Sequence, residues 1–134
     1  MTQAQFVHGG CLCGAVQFEL TLPSKWCAHC HCSMCRRAHG AGYVTRVGFD
    51  SRHVRLLQGD QHLHWYLSSQ GARRGFCGTC GSTMLFESRR WAGETHVALA
   101  CIDGRIARAP QAHAFYDAHV DWIPIDGSLQ IVKG

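Results

Sequence analysis

Nine cysteines at short spacings constrain what this chain can fold into more than any other feature of its sequence. They fall into a Cys-x-Cys pair, a dense central run and a Cys-x-x-Cys pair, with one further cysteine at Cys101. Thiolates grouped in this way are typical ligands of zinc. The spacing therefore predicts a fold built around metal sites, with Cys101 as a small core residue.

The composition predicts one globular domain over residues 1–134. Hydrophobic residues make up 46% of the chain and charged residues 16%, which is typical of a folded protein. The first residues lack the basic and apolar regions of a signal peptide, and no run approaches the roughly 20 apolar residues of a membrane helix. We therefore expect a cytoplasmic protein with no membrane partner, whose cysteines bind metal rather than form disulfides.

The charge distribution bears on the class of partner. The formal net charge is +4 with neutral histidines, and the lysines and arginines are scattered along the chain. Nucleic-acid-binding domains usually show a basic stripe. The pattern argues against nucleic acid as a partner and suits a small anionic substrate equally well.

Short segments of alternating polarity, separated by glycine-containing turns, predict a mainly β domain without a long helix. A short helix is expected over residues 34–39, with Ser33 as its N-cap. Residues 68–74 read as a polar loop. The predicted strands are residues 16–22, 26–30, 43–49, 53–57, 62–67, 83–87 and 95–102, with short strands in the tail.

Two similar cysteine–glycine turns predict a structural zinc site. Cys11-x-Cys13 and Cys77-x-x-Cys80 each run through glycine and a small residue into a strand. Glycine allows the tight turn that points both sulfurs at one ion, and four sulfurs complete a tetrahedral shell. The alternatives are buried free cysteines, or a redox pair at Cys77 and Cys80.

The central run has two metal interpretations. In the first, Cys27, Cys30, Cys32 and Cys35 close a second four-sulfur site. In the second, Cys30, Cys32 and Cys35 bind zinc with one coordination position open, and Cys27 packs inside. If residues 26–30 form a regular strand, Cys27 and Cys30 point to opposite faces, which favours the open site.

Histidines beside the central cysteines are candidates for acid–base chemistry. His29, His31 and His39 can supply a proton donor, a proton acceptor or a fourth ligand. A histidine beside a metal more often orients a ligand through its ring nitrogen.

Arginines after the central cysteines are candidates for substrate binding. Arg36 and Arg37 can bind a carboxylate in a bidentate manner, or can form the solvated side of a short helix. Arg73 and Arg74 are weaker candidates of the same kind.

Three ordered motifs point to a known family. They are Gly-Cys-x-Cys-Gly-Ala-Val at 10–16, Cys-His-Cys-Ser-x-Cys-Arg-Arg at 30–37 and Phe-Cys-x-x-Cys-Gly-Ser at 76–82. Together they resemble the glutathione-dependent formaldehyde-activating enzyme family, which includes centromere protein V-like proteins. The resemblance implies a β-tent zinc-binding fold of two small antiparallel sheets with short helices.

The same resemblance implies two zinc ions with different tasks. A structural zinc is carried over to the two cysteine–glycine turns, and a functional zinc to the central run. The implied ligands are Cys11, Cys13, Cys77 and Cys80 for the structural ion, and Cys30, Cys32 and Cys35 for the functional one.

The activity implied by the resemblance is of the carbon–sulfur lyase class and joins formaldehyde to glutathione as S-hydroxymethylglutathione. In this scheme His31 or His39 protonates the new alkoxide, and Arg36 or Arg37 holds a glutathione carboxylate. Cys27 departs from the family pattern and can close the second site. The competing hypotheses are a non-catalytic zinc-binding module or carrier, and an enzyme acting on another small thiol or aldehyde.

Overall fold

The structure, a computed structural model, describes residues 5–134 and consists of β-strands in two sheets with one α-helix among those residues. The helix is α1, Ser33–His39. The strands are β1 Phe6–Gly10, β2 Gln17–Thr21, β3 Trp26–Cys30, β4 Val44–Asp50, β5 Val54–Gln58, β6 Leu63–Ser69, β7 Ala72–Cys77, β8 Thr83–Ser88, β9 Glu94–Ala98, β10 Ile102–Asp103, β11 Ala112–Ala114 and β12 Gln130–Ile131.

The two sheets differ in size and in strand direction. The smaller has the order β10-β1-β2-β5, and the larger β12-β11-β3-β4-β9-β8-β7-β6. All pairs in the smaller sheet are antiparallel, whereas β11 runs parallel to both β3 and β12. The mainly β fold of two sheets is confirmed. The parallel edge arises because β11 follows a long connection from the other sheet, and no hairpin fixes its direction.

The hydrophobic core lies between the sheets and follows from strand alternation. In β2 the side chains of Phe18 and Leu20 are fully buried, while that of Glu19 between them faces outward. In β4 the side chains of Val47 and Phe49 do the same from the larger sheet. Burying each of these side chains contributes about 1.5–3 kcal/mol.

Two predicted elements differ from the structure. The predicted strand 95–102 is divided, because β9 ends at Ala98 and the chain crosses through a 3₁₀ turn at Leu99–Cys101 into β10 of the other sheet. The predicted polar loop 68–74 is wrong at both ends, because β6 continues to Ser69 and β7 begins at Ala72. The charge of Arg73 is accommodated in this strand, because its guanidinium pairs with Glu87 at 2.7 Å.

Within the described residues, the structure contains no helix that is long and apolar enough to cross a membrane.

Candidate metal centres and their cavity

The two cysteine–glycine turns meet to form a four-sulfur cluster. The Sγ atoms of Cys11, Cys13, Cys77 and Cys80 all lie within 4.8 Å of one another. The Sγ–Sγ distance is 3.6 Å between Cys11 and Cys13, and 3.8 Å between Cys13 and Cys77. Tetrahedral zinc with bonds of about 2.3 Å separates its sulfurs by roughly 3.8 Å. The donor set and the spacing therefore fit a structural zinc.

The two turns share one backbone geometry, as their sequence similarity predicts. Gly14 and Gly81, each directly after the second cysteine, have φ values of 81° and 82°, which side-chain-bearing residues rarely adopt. The first pair lies between β1 and β2, whereas in the second pair Cys77 ends β7 and Cys80 lies before β8. The cluster thus links the smaller sheet to the larger one.

The central run forms a second cluster at the start of α1. Cys30 ends β3, Cys32 precedes the helix and Cys35 lies in its first turn, with their sulfurs within 4.8 Å of one another. The predicted cap at Ser33 is wrong by one residue. Cys32 has the extended backbone of an N-cap, and its Sγ accepts the backbone N–H of Cys35 at 3.2 Å.

Cys27 lies apart from this cluster. It is fully buried in the core between the sheets, whereas Cys30 packs with Cys35 in a separate cluster of buried residues. Burial raises the pKa of the Cys27 thiol, which therefore stays neutral. Alternation along β3 separates the two cysteines as predicted, and among the described residues the second cluster has three sulfurs.

A cavity of about 680 Å³ lies on the face of the larger sheet that points away from the core. Cys30, Cys32 and Cys35 line it. Trp26 lies across β4, where the absence of a side chain at Gly48 leaves room for the indole. The other aromatic side chains along its walls are Phe86, Trp91 and Phe115.

Two buried arginines lie beside the sulfur of Cys35. Arg46 on β4 is 4% exposed and Arg74 on β7 is 5% exposed. An N–H of Arg46 donates to Cys35 Sγ at 3.4 Å, and both terminal nitrogens of Arg74 lie 3.6 and 3.7 Å from it. Both guanidinium groups also lie over the ring of Phe86.

The cysteines of the cluster differ in how readily they lose a proton. Hydrogen bonds from Cys30 and Cys32, followed by the charges of Arg46 and Arg74, lower the pKa of Cys35. Hydrogen bonds with Cys32 and Cys35, followed by burial, raise the pKa of the Cys30 thiol. Cys35 is thus the sulfur of the group that most readily becomes a thiolate, which is the form that binds metal.

The candidates that follow the cysteines in sequence lie outside the cavity. Arg37 is exposed, and Arg36 donates from Nε to the backbone oxygen of His31 at 3.4 Å. His39 is partly buried, and its pKa falls to about 4 through burial and the nearby charge of Arg46. The described residues that line the cavity do not include His31, His39, Arg36 or Arg37.

His31 instead takes part in a chain of hydrogen bonds that reaches the C-terminal region. Its Nε2 lies 2.9 Å from Nδ1 of His113, whose Nε2 lies 2.8 Å from the backbone oxygen of Asp126. A carbonyl oxygen only accepts, so Nε2 of His113 carries the hydrogen, its Nδ1 accepts, and Nε2 of His31 donates. The ring of His31 is neutral in this arrangement. Burial agrees with this, since it lowers the pKa of His31 to about 4.

Residues 6–118 match the glutathione-dependent formaldehyde-activating enzyme family. The chain belongs to this family. A Halomonas elongata protein named "Putative glutathione-dependent formaldehyde-activating enzyme" is 31% identical over 133 residues, covering 92% of this chain and 83% of that protein. An uncharacterized lyase of Schizosaccharomyces pombe is 28% identical over 79 residues, covering 59% of this chain and 56% of its own length.

A solved structure agrees with the fold of this family member. The crystal structure of a Rhodobacter sphaeroides protein superposes with a TM-score of 0.64 at 28% sequence identity, covering 77% of this chain and 97% of that one. The region matched by the glutathione-dependent formaldehyde-activating enzyme family contains all nine cysteines, Arg46 and Arg74. The family resemblance predicted from the cysteine motifs is therefore confirmed.

Proposed function

We propose that the protein is a zinc-dependent enzyme of the carbon–sulfur lyase class that binds glutathione or a similar small thiol and forms its adduct with formaldehyde. The observation that carries this proposal is the position of the three-sulfur cluster in the wall of a cavity of about 680 Å³. Small-molecule sites typically have volumes of about 300–1,000 Å³. Three cysteines facing such a space are typical of a zinc that keeps a position for a ligand.

The proposed ligands of the functional zinc are Cys30, Cys32 and Cys35, and the four cysteines of the linked turns hold the structural zinc. A zinc held by these three sulfurs would lower the pKa of a bound thiol and would so supply a thiolate at neutral pH. The position of Cys27 favours this enzyme over a non-catalytic zinc carrier. Its burial in the core leaves the second cluster without a fourth cysteine among the described residues.

The walls of the cavity provide the environment for the reaction. Aromatic rings exclude water and lower the local dielectric constant, which strengthens the interaction of Arg46 and Arg74 with negative charge. Trp26 is held in place because its indole N–H donates to Glu94 at 3.3 Å. These side chains surround a reacting thiolate with fixed groups instead of mobile water.

The cavity also suggests which groups bind and transfer protons. Arg46 and Arg74 line it, and we propose this buried pair, in place of Arg36 and Arg37, as the positive charge that faces the ligand. His96 lines it as well, and its Nε2 lies 3.0 Å from Glu94 Oε1. The carboxylate holds the hydrogen on Nε2, so Nδ1 is the nitrogen available to accept a proton.

Calorimetry of anaerobic, zinc-loaded protein tests thiol binding. We expect glutathione to bind saturably near one molecule per chain. Cys32→Ser is expected to abolish binding while the structural zinc remains. Cys101→Ser is the matched control, because Cys101 belongs to neither cluster, and it is expected to bind as the wild type does.

Formaldehyde adduct formation is then measured with the same three proteins. A wild-type protein that holds two zinc ions and releases no heat at millimolar glutathione would contradict the proposal. Unchanged glutathione binding in Cys32→Ser would contradict the assignment of the site.

A further inference from the structure

Two buried cations face the cavity without a carboxylate to neutralise them. Arg46 and Arg74 are 4% and 5% exposed, yet neither takes part in an ion pair within residues 5–134. They come from β4 and β7, which are separated by two strands, and both lie over the ring of Phe86, at 4.8 and 4.9 Å from its centroid. Burying an unpaired charge is costly, so the arrangement calls for an anion.

The sulfur of Cys35 compensates for only part of this charge. It accepts from Arg46 at 3.4 Å and lies 3.6 and 3.7 Å from Arg74. Three thiolates with one divalent zinc carry one negative charge in total, whereas the two guanidinium groups carry two positive charges. One positive charge remains unbalanced beside the cluster.

The guanidinium of Arg46 also has a donor that is not in use. Its Nε is fully buried and has no hydrogen-bond partner in the described part of the chain, although Arg46 lines the cavity. An arginine presents five N–H donors in a planar fork that matches a carboxylate. The donor geometry therefore favours a planar anion.

The acidic side chains nearby do not fill this role. Glu94 is already paired, with Lys25 Nζ at 2.8 Å and with His96 Nε2 at 3.0 Å. Asp117 lines the same cavity but is exposed to solvent. The charge of the arginine pair is thus available to a ligand.

We propose that Arg46 and Arg74 form an anion subsite that binds a carboxylate of the ligand next to the three-sulfur cluster. Both guanidinium groups lie within 3.7 Å of Cys35 Sγ, so the carboxylate bound there is only a few bonds from the reacting group. Short thiols with a carboxylate and 2-oxo acids have this chemistry. The position of the reacting thiol or carbonyl group rests on the proposed function. Binding of a carboxylate by Arg46 and Arg74 does not depend on that function.

The first experiment compares a thiol acid with its neutral analogue. 3-Mercaptopropionate and 3-mercaptopropionamide are titrated into anaerobic, zinc-loaded protein in a calorimeter. We expect the acid to bind at least about tenfold more tightly, because charge-assisted hydrogen bonds to a buried anion are strong. This result would place the carboxylate on the thiol.

The second experiment contains no thiol, so its result is independent of thiol binding. Glyoxylate and its neutral amide, glyoxylamide, are titrated into the same protein. At least about tenfold tighter binding of glyoxylate would place the carboxylate on the carbonyl compound. If thiols fail to bind while glyoxylate is preferred, the subsite stands and thiol binding is wrong.

Variants connect the preference to the arginine pair. Arg46→Gln and Arg74→Gln are each expected to reduce the acid-to-amide ratio by about tenfold, and Arg90→Gln, an exposed residue of the same cavity, is the matched control that retains the ratio. Circular dichroism and zinc content establish that each variant is folded. Equal affinity of the wild type for acid and amide in both titrations would overturn the proposed subsite. A preference for the acid that persists in both folded glutamine variants would overturn it as well.

Discussion

Gly48 has no side chain, and this leaves the space in which one wall of the cavity is built. A Cβ atom added at Gly48 would lie 2.3 Å from the indole of Trp26, so the ring must move. We predict that Gly48→Ala lowers the free energy of unfolding by about 1–3 kcal/mol, as overpacking does, and weakens thiol binding. Urea denaturation and calorimetric titration measure the two effects.

The control for this variant is Gly127→Ala, because a Cβ at Gly127 meets no atom within 4 Å. We expect its free energy of unfolding to stay within about 0.5 kcal/mol of the wild type. An equal loss of stability in the two variants would contradict the role assigned to Gly48.

At the scale of single residues, the sequence predicts the two cysteine clusters better than their surroundings. The cysteines of each turn lie within four positions of one another, so local spacing reveals them. Arg46 lies alone in a β-strand, and the sequence around Arg74 predicts a loop where the structure has β7. Their convergence on Cys35 depends on the order of four strands, which no local pattern records. Arg36 and Arg37 are candidates in the sequence only because they directly follow Cys35.

Among the elements, β11 is joined to the loop after β3 by a hydrogen bond between two histidine side chains. His113 on β11 accepts from His31, so His113→Phe leaves a buried N–H without a partner. We predict a loss of about 1–3 kcal/mol in the free energy of unfolding, measured by urea denaturation.

The double variant His31→Phe/His113→Phe distinguishes this pairing from loss of packing. If the two rings act as a pair, its loss is smaller than the sum of the single losses by about 0.5 kcal/mol or more. Additive losses would show that the hydrogen bond between the rings contributes nothing measurable.

At the scale of elements, the sequence predicts the strands well where one face is buried and less well where the chain changes sheets. Residues 26–30 were predicted as a strand and form β3. Residues 95–102 read as one apolar strand because both β9 and β10 have buried positions, although they belong to different sheets. His113 lies 82 residues from His31, so their contact is also invisible to local reasoning.

For the whole molecule, the four-sulfur cluster joins the two sheets and is expected to control global stability. Structural zinc contributes folding free energy directly, because its site does not exist in the unfolded chain. We predict that Cys80→Ser, or zinc removal by a strong chelator, lowers the unfolding temperature markedly, by roughly 10 °C or more. Thermal circular dichroism with zinc analysis measures this.

Cys32→Ser is the comparison for Cys80→Ser, because it removes a sulfur from the cluster in the cavity wall instead of the one between the sheets. We expect its unfolding temperature to fall by clearly less. Equal falls in the two variants would contradict the division into a structural and a functional site.

The central claim is that the three-sulfur cluster receives a thiol from the cavity. Cobalt-substituted protein tests this directly, since each thiolate bound to the metal contributes sulfur-to-cobalt charge-transfer absorption. We predict that anaerobic addition of glutathione increases this absorption by about one thiolate per chain in the wild type, and leaves it unchanged in Cys32→Ser. A wild-type spectrum that does not respond to millimolar glutathione, with both sites filled by cobalt, would contradict the account.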